Sequence, residues 1–399
     1  MTPGLNEEDR GWGQLARAAA LVILLFYCTV PFEGGGERFP LLFRLACMVL
    51  LAGFLFVGGG VKVIEAAIVS LPILFFSLIL ALANLDDISF RLINTVLIIG
   101  IAGYVFLLCN SSETRRAQFA KALDFIVILS GSALFAQFFI YIGTGALVEM
   151  HGIFFPWGQS RSVVLEGFGI ARFAGLYTEP GTHSNWVLAF ILLRTVLTGQ
   201  LLSVATIVGM SSILITMSAW GLGAVGAFLS SVIFFQIFVA RKLDRWLLVV
   251  IFGIFLMAAL VLTSGLFDAA LDYFRFRSEL GNESGWSKVS AWYYGLAAVD
   301  KIAFLGLPIG SDYCYGCQSP QDAGLVLNFS IHFGLLAGVL FFGALVFAVS
   351  LSVGFYLIPL VFVFMVGKYY YFDPIVWFVW YFAVGRIFIV FHAGRSGSS

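Results

Sequence analysis

The sequence predicts an all-α polytopic membrane protein with about twelve transmembrane helices and two long extracytoplasmic loops. Of the 399 residues, 61% are hydrophobic and only 11% are charged, whereas a soluble domain carries about 25% charged residues to keep its surface solvated. Twelve apolar stretches are close to the roughly 20 residues that a helix needs to cross the hydrocarbon layer. Basic and acidic residues balance at 22 each, which argues against a nucleic-acid partner, since that partner requires a basic surface.

The predicted spans follow one another along the chain and are joined by short links, except at two places. They cover residues 14–31, 41–58, 63–83, 92–109, 122–142, 183–199, 201–217, 219–239, 246–265, 323–347, 350–366 and 374–391. Lys and Arg in short loops mark the cytoplasmic side, and cations such as Arg115, Arg116 and Lys121 place both termini in the cytoplasm. Arg44 and Arg194 fall inside spans, near enough to the span ends for their side chains to snorkel to the surface.

The two long connections, residues 143–182 and 266–322, both fall on the predicted extracytoplasmic side. The chain has 44 charged residues, 22 basic and 22 acidic, and these two connections contain 16 of them. Loops of this length are uncommon unless they are functional, so we expect the chemistry here. A transporter instead keeps its functional charges near mid-bilayer, which makes transport the less favoured function.

The first long loop contains Arg172-Phe-Ala-Gly175-Leu-Tyr177-Thr-Glu179-Pro180. This segment resembles the R-x-x-G-x-x-x-E-P signature of the O-antigen polymerase and ligase superfamily, which includes the Wzy-type polysaccharide polymerases. Two later segments are also similar to that family: Met217-Ser218, which opens a span, and Gln321-Asp322, which precedes an apolar helix.

The resemblance implies an inverting, metal-independent membrane glycosyltransferase of GT-C-like architecture in the bacterial inner membrane, with no cofactor. Such an enzyme polymerises undecaprenyl-diphosphate-linked oligosaccharide repeat units into a surface polysaccharide, either O-antigen or exopolysaccharide. A chain-length regulator and a flippase are its expected protein partners. An O-antigen ligase and a lipid-linked oligosaccharide flippase or transporter are the alternative functions.

The reaction implied by the resemblance requires a cation for the diphosphate leaving group and a base for the attacking hydroxyl. Arginine suits a diphosphate because its guanidinium binds phosphate oxygens bidentately, and Arg172 is the first candidate; the alternative is that it pairs with Glu179 and braces the loop. Asp322 is the candidate base, and its alternative role is to cap the following helix. Glu179 is either catalytic or a helix-start acid that orients Arg172 or caps the helix.

Further residues are expected to bind substrate. They are Arg275, Arg277, Lys288, His183 and Tyr177. Arg275, Arg277 and Lys288 compete for the role of second cation, because Lys288 stands where the family carries an Arg. His183 and Tyr177 are candidates for sugar contact, although Tyr is more often an interfacial residue at this depth.

Cys314 and Cys317 lie in the second long loop, and we predict that they form a disulfide. The extracytoplasmic side is an oxidising compartment, and the C-x-x-C has neither the βαβ context of a redox motif nor a second ligand pair for zinc. Protein isolated without reductant should therefore show both sulfurs blocked to alkylation in mass spectrometry. Free thiols at both positions would contradict the prediction.

Overall fold

The structure, a computed structural model, describes residues 7–31, 38–56, 74–79, 82, 90–156, 163–165, 170–240, 290, 293–294, 297, 304–308 and 324–396. Within these ranges, five helices are long and apolar enough to cross a membrane. The apolar residues therefore form helices that suit a lipid bilayer, as the sequence predicts for a membrane protein.

The described elements are almost all helical, with one small antiparallel hairpin. They are α1 (Glu7–Thr29), α2 (Arg38–Phe56), α3 (Phe90–Asn110), α4 (Glu113–Thr144), α5 (His151–Phe154), β1 (Val163–Leu165), β2 (Ile170–Arg172), α6 (Pro180–Thr198), α7 (Val204–Ile215), α8 (Ala219–Phe234, continued by a π-helix over Phe235–Ala240), α9 (Gly324–Phe333), α10 (Leu335–Ser352), a 3-10 helix (Phe355–Leu357), α11 (Ile358–Val366) and α12 (Pro374–Ser396).

Helix α6 lies at the centre of the described bundle. Nearly all of its side chains are buried, and it packs against α4, α7, α8, α11 and α12. A helix that is enclosed on all sides is typical of a protein interior. The polar side chains near its start, His183, Ser184 and Asn185, are therefore surrounded by protein and need hydrogen-bond partners there.

Helix α4 is longer than the span predicted over 122–142. It begins after Ser112, whose hydroxyl accepts a hydrogen bond from the backbone N–H of Arg115, and it ends at Gly145 in a left-handed conformation. Its 32 residues reach about 48 Å at 1.5 Å per residue. Because the hydrocarbon layer is about 30 Å thick, α4 extends beyond the apolar part of the bilayer.

The predicted span 323–347 is wrong as a single helix, because the chain breaks at Gly334 between α9 and α10. Gly334 has a φ of +90°, a conformation that glycine adopts far more readily than other residues. The ring of Phe329 in α9 stacks on that of Phe341 in α10, with 4.4 Å between the ring centroids. In one straight helix these residues would lie about 18 Å apart, so the two helices fold back on each other.

Two other predicted spans, 201–217 and 350–366, contain shorter helices than the sequence predicts. Helix α7 has 12 residues and α11 has nine, which correspond to about 18 and 14 Å. Both are shorter than the hydrocarbon thickness of about 30 Å. A turn at 216–218 and the 3-10 helix before α11 occupy other parts of these stretches.

Arg44 and Arg194 are buried in ion pairs, so the prediction that they snorkel is wrong. Nη1 of Arg44 lies 2.7 Å from Oδ1 of Asp373, with both side chains almost fully buried. Nε of Arg194 lies 2.9 Å from Oδ1 of Asp124. Each carboxylate comes from a distant part of the chain, and this partner makes burial of the guanidinium tolerable.

Removing one member of the Arg44–Asp373 pair should destabilise the protein strongly. Arg44→Met leaves the Asp373 carboxylate buried without its cation, and we expect the free energy of unfolding to fall by about 3–5 kcal/mol. Thermal unfolding in detergent, followed by tryptophan fluorescence, measures the loss.

The double variant Arg44→Met/Asp373→Leu should lose less stability than Arg44→Met alone, because no buried charge remains without a partner. Arg116→Met is the control, since Arg116 is partly exposed and lies 3.9 Å from an exposed glutamate, a type of pair that contributes little. Equal unfolding midpoints for Arg44→Met and Arg116→Met would contradict the importance of the pair.

Candidate functional site

Arg172, the first residue of the signature, ends the small hairpin in the loop between α4 and α6. The two strands are antiparallel, and Arg172 is the Cα partner of Val163. The Arg172 side chain is half-buried. The next residue, Phe173, is buried against the end of α4, where its ring meets the ring of Phe138 edge-on with 5.6 Å between the centroids. The hairpin thereby holds Arg172 at the end of α4.

The signature loop is the segment 145–179 between α4 and α6, which contains the R-x-x-G-x-x-x-E-P sequence. Gln137 of α4 joins the two ends of this loop. Its Oε1 accepts a hydrogen bond from the backbone N–H of Gly175 at 3.0 Å, and its Nε2 donates to the carbonyl of Val148 at 2.7 Å. Gly175 has a φ of +59°, and a Cβ placed there would lie 3.2 Å from Cβ of Leu134. The glycine of the signature is therefore required by both backbone conformation and space.

Tyr177 and His183 are fully buried and contact each other behind the loop. Their rings meet edge-on with 5.1 Å between the centroids. The Tyr177 hydroxyl shares a 3.0 Å hydrogen bond with Ser130 of α4, and Nε2 of His183 shares one of 2.9 Å with Ser212 of α7. Burial raises the pKa of the Tyr177 hydroxyl, against a smaller opposing effect of the Ser130 hydrogen bond.

These contacts give Tyr177 and His183 a role in joining the loop to α4, α6 and α7. Contact of either side chain with a sugar stays a prediction, and in the arrangement described here both are enclosed by protein. Arg172 and Glu179 differ from them, because both are only partly buried. Among the signature residues predicted to act on substrate, these two are therefore the accessible ones.

Glu179 directly precedes α6 and is its N-cap residue. Its backbone is extended and Pro180 follows in the first turn, as the sequence predicts for a helix start. The carboxylate makes no capping hydrogen bond to the helix backbone, so that predicted role is wrong. Instead, Oε1 of Glu179 accepts a 3.4 Å hydrogen bond from the Thr182 hydroxyl.

The Met217-Ser218 turn between α7 and α8 lies against the start of α6. The hydroxyls of Thr216 and Ser184 are 3.0 Å apart. A Cβ built on Gly181 would lie 3.9 Å from both Oε1 of Glu179 and Oγ of Ser218, so these two oxygens border the same small space. Met217 has a φ of +50°, a conformation that costs energy for a non-glycine residue and often marks functional sites.

The segment between α11 and α12 approaches the first turn of α6 from another side. The Tyr369 hydroxyl donates a hydrogen bond to the carbonyl of Asn185, and the rings of Tyr369 and Trp186 are 5.1 Å apart. The carbonyl of Gly367 accepts a 2.9 Å hydrogen bond from the N–H of Leu325 in α9. The beginning of α9 is therefore linked through Gly367 to the beginning of α6.

Several predicted site residues lie outside the described ranges. They are Asp322, Arg275, Arg277 and Lys288, together with Cys314 and Cys317 of the predicted disulfide. Asp322 precedes α9 by two positions in the sequence. The roles given to these residues stay predictions.

The comparisons give the chain no relatives. It matches no family model, no curated protein and no solved structure. The features of this chain that bear on its function are therefore the signature residues and their surroundings.

The sequence does not single out the buried polar residues that hold the site together. Gln137 and Tyr369 belong to no motif, yet Gln137 bonds α4 to the loop that carries the signature, and Tyr369 bonds the segment before α12 to the backbone of α6. The available signal was modest: an amide in the apolar part of a helix is costly unless it has a partner. Gln137, inside a predicted span, carries that signal.

Gly175→Ala should destabilise the signature loop. The substitution forces a left-handed conformation on alanine and brings its Cβ to 3.2 Å from Leu134, so we expect a loss of about 1–2 kcal/mol from the conformation alone. The midpoint of thermal unfolding and the rate of proteolysis between α4 and α6 measure the effect.

Gly143→Ala is the matched control. Gly143 lies in the last turns of α4, and a Cβ placed there meets nothing within 4 Å. Alanine should be neutral or slightly stabilising in that helix. A Gly175→Ala protein as stable and as protease-resistant as Gly143→Ala would refute the constraint described for Gly175.

Proposed function

We propose that this chain is an integral-membrane glycosyltransferase that polymerises undecaprenyl-diphosphate-linked oligosaccharide repeat units into a surface polysaccharide. One observation carries the proposal: two segments that resemble the polymerase and ligase family meet at the start of α6. Glu179 of the signature and Ser218 of the later segment border the same space beside Gly181.

The roles proposed for the charged residues follow from the resemblance and from what the reaction requires. Arg172 binds the diphosphate and stabilises the charge that develops as the glycosidic bond to phosphate breaks. Asp322 takes the proton from the acceptor hydroxyl as the new bond forms at the sugar carbon. Glu179 is the second carboxylate at the site and positions the acceptor or Arg172.

The proposal also includes a membrane arrangement. The protein is a multi-pass protein of the bacterial inner membrane, with about twelve spans, cytoplasmic termini and a GT-C-like architecture. The signature loop then faces the extracytoplasmic side, where α6 begins. The predicted topology assigns Arg44, Asp373, Tyr369 and Asn185 to this same side. Arg44 contacts Asp373, and Tyr369 contacts Asn185. These contacts between residues assigned to one side support the arrangement.

The proposed reaction is tested directly with purified protein in detergent and a synthetic undecaprenyl-diphosphate repeat unit. In the presence of EDTA, gel electrophoresis should show a ladder of lengthened products. Arg172→Ala should lower the rate about 100-fold or more, as the loss of a transition-state cation does. Asp322→Asn should lower it by about 10²–10⁴-fold, because it removes the base.

Arg116→Ala is the control, since it removes an arginine from the start of α4, at the other end of that helix from the signature loop. It should leave the ladder unchanged. No ladder from the correct substrate, or undiminished ladders from both site variants, would refute the mechanism. Transfer of finished polymer onto a lipid acceptor without a ladder would identify a ligase, and movement of substrate across vesicles without product would identify a flippase.

A further inference from the structure

A cavity of about 780 Å³ opens between α1, α2 and α4, away from the signature loop. It lies beside the middle of α1, the first half of α4 and the last residues of α2. The predicted topology places these segments at the cytoplasmic face. Its volume falls within the range of about 300–1,000 Å³ typical of small-molecule sites.

One end of this cavity is cationic. Arg17, Arg115 and Lys121 line it, and its described lining contains no Asp or Glu. The acids at the start of α4 lie outside this lining: Glu113 is exposed, 3.9 Å from Arg116, and Asp124 lies 2.9 Å from Arg194. The cavity mouth is therefore electropositive and suits an anionic group.

The rest of the cavity lining is mainly apolar. It includes Leu21, Ile23 and Phe125, and Ile23 and Phe125 are each more than half exposed. The rise along the helix is about 6 Å from Lys121 to Phe125 and about 9 Å from Arg17 to Ile23. The cavity thus changes from cationic to apolar along the direction in which a lipid would lie.

We infer that this cavity binds one phospholipid with an anionic headgroup, with the phosphate beside Arg17 and Lys121 and an acyl chain along Ile23 and Phe125. A free phosphate would use the cations and leave the apolar wall uncovered. A zwitterionic lipid would cover the wall but gain less from the cations. Basic pockets between transmembrane helices on the cytoplasmic side are suited to anionic headgroups for the same reason.

The inference is tested by native mass spectrometry of delipidated protein titrated with phosphatidylglycerol or with phosphatidylcholine of identical chains. The first phosphatidylglycerol should bind at least tenfold more tightly. Arg17→Ala/Lys121→Ala should weaken it by about 25-fold, from about fivefold for each cation. Arg116→Ala, on the same helix but outside the cavity, should bind like the parent.

Ala18→Trp distinguishes binding in the cavity from general attraction to surface charge, because the tryptophan fills the cavity and every cation is kept. Ala18 is exposed, so the variant should unfold at the parental temperature and lose the tight lipid. Equal affinity for the two lipids, parental binding by the double variant, or retained binding by Ala18→Trp would overturn the inference. Displacement of the lipid by glycerol 3-phosphate at equal concentration would overturn the acyl-chain contact.

Discussion

The arrangement of the site depends on one set of interactions: polar groups at the start of α6 are surrounded by protein and bond to other elements there. His183 is bonded to Ser212, Ser184 to Thr216, and the carbonyl of Asn185 to Tyr369. Each partner belongs to a different element. Because a buried polar group without a partner is costly, these bonds favour the observed positions of α7, the Met217-Ser218 turn and the segment before α12. The signature loop is then held against the same surface through Tyr177 and Gln137.

The sequence was informative wherever the physical signal is local. Composition predicts the membrane class, and the Glu-Pro pair correctly predicts the start of α6 at Pro180. Prediction from the sequence failed where the structure depends on a contact between residues that are distant in the chain or on a backbone conformation. Arg44 and Asp373 are separated by 329 positions, so nothing in the sequence pairs them, and snorkelling was the natural expectation. The break at Gly334 was not predicted from the sequence. The residues before and after Gly334 are apolar, and hydropathy carries no information about backbone dihedral angles.

In the candidate site, the sequence identifies residue types but not the environment of each side chain. Arg172, Tyr177 and Glu179 were selected from one motif, and His183 was selected because it lies beside that motif. Their surroundings separate them: Arg172 and Glu179 are partly accessible, whereas Tyr177 and His183 are enclosed. A motif thus names the residues that a site requires without distinguishing those that face a ligand from those that hold the loop in place.

Helix α4 gives the described bundle a mechanical connection between its two ends. Lys121 lines the cationic cavity, whereas Gln137 holds both ends of the signature loop. The 16 positions between them span about 24 Å of unbroken helix. No residue of α4 between them departs from the helix. The cavity beside Lys121 and the loop that carries Arg172 are therefore attached to one continuous helix, and a tilt of α4 would displace both.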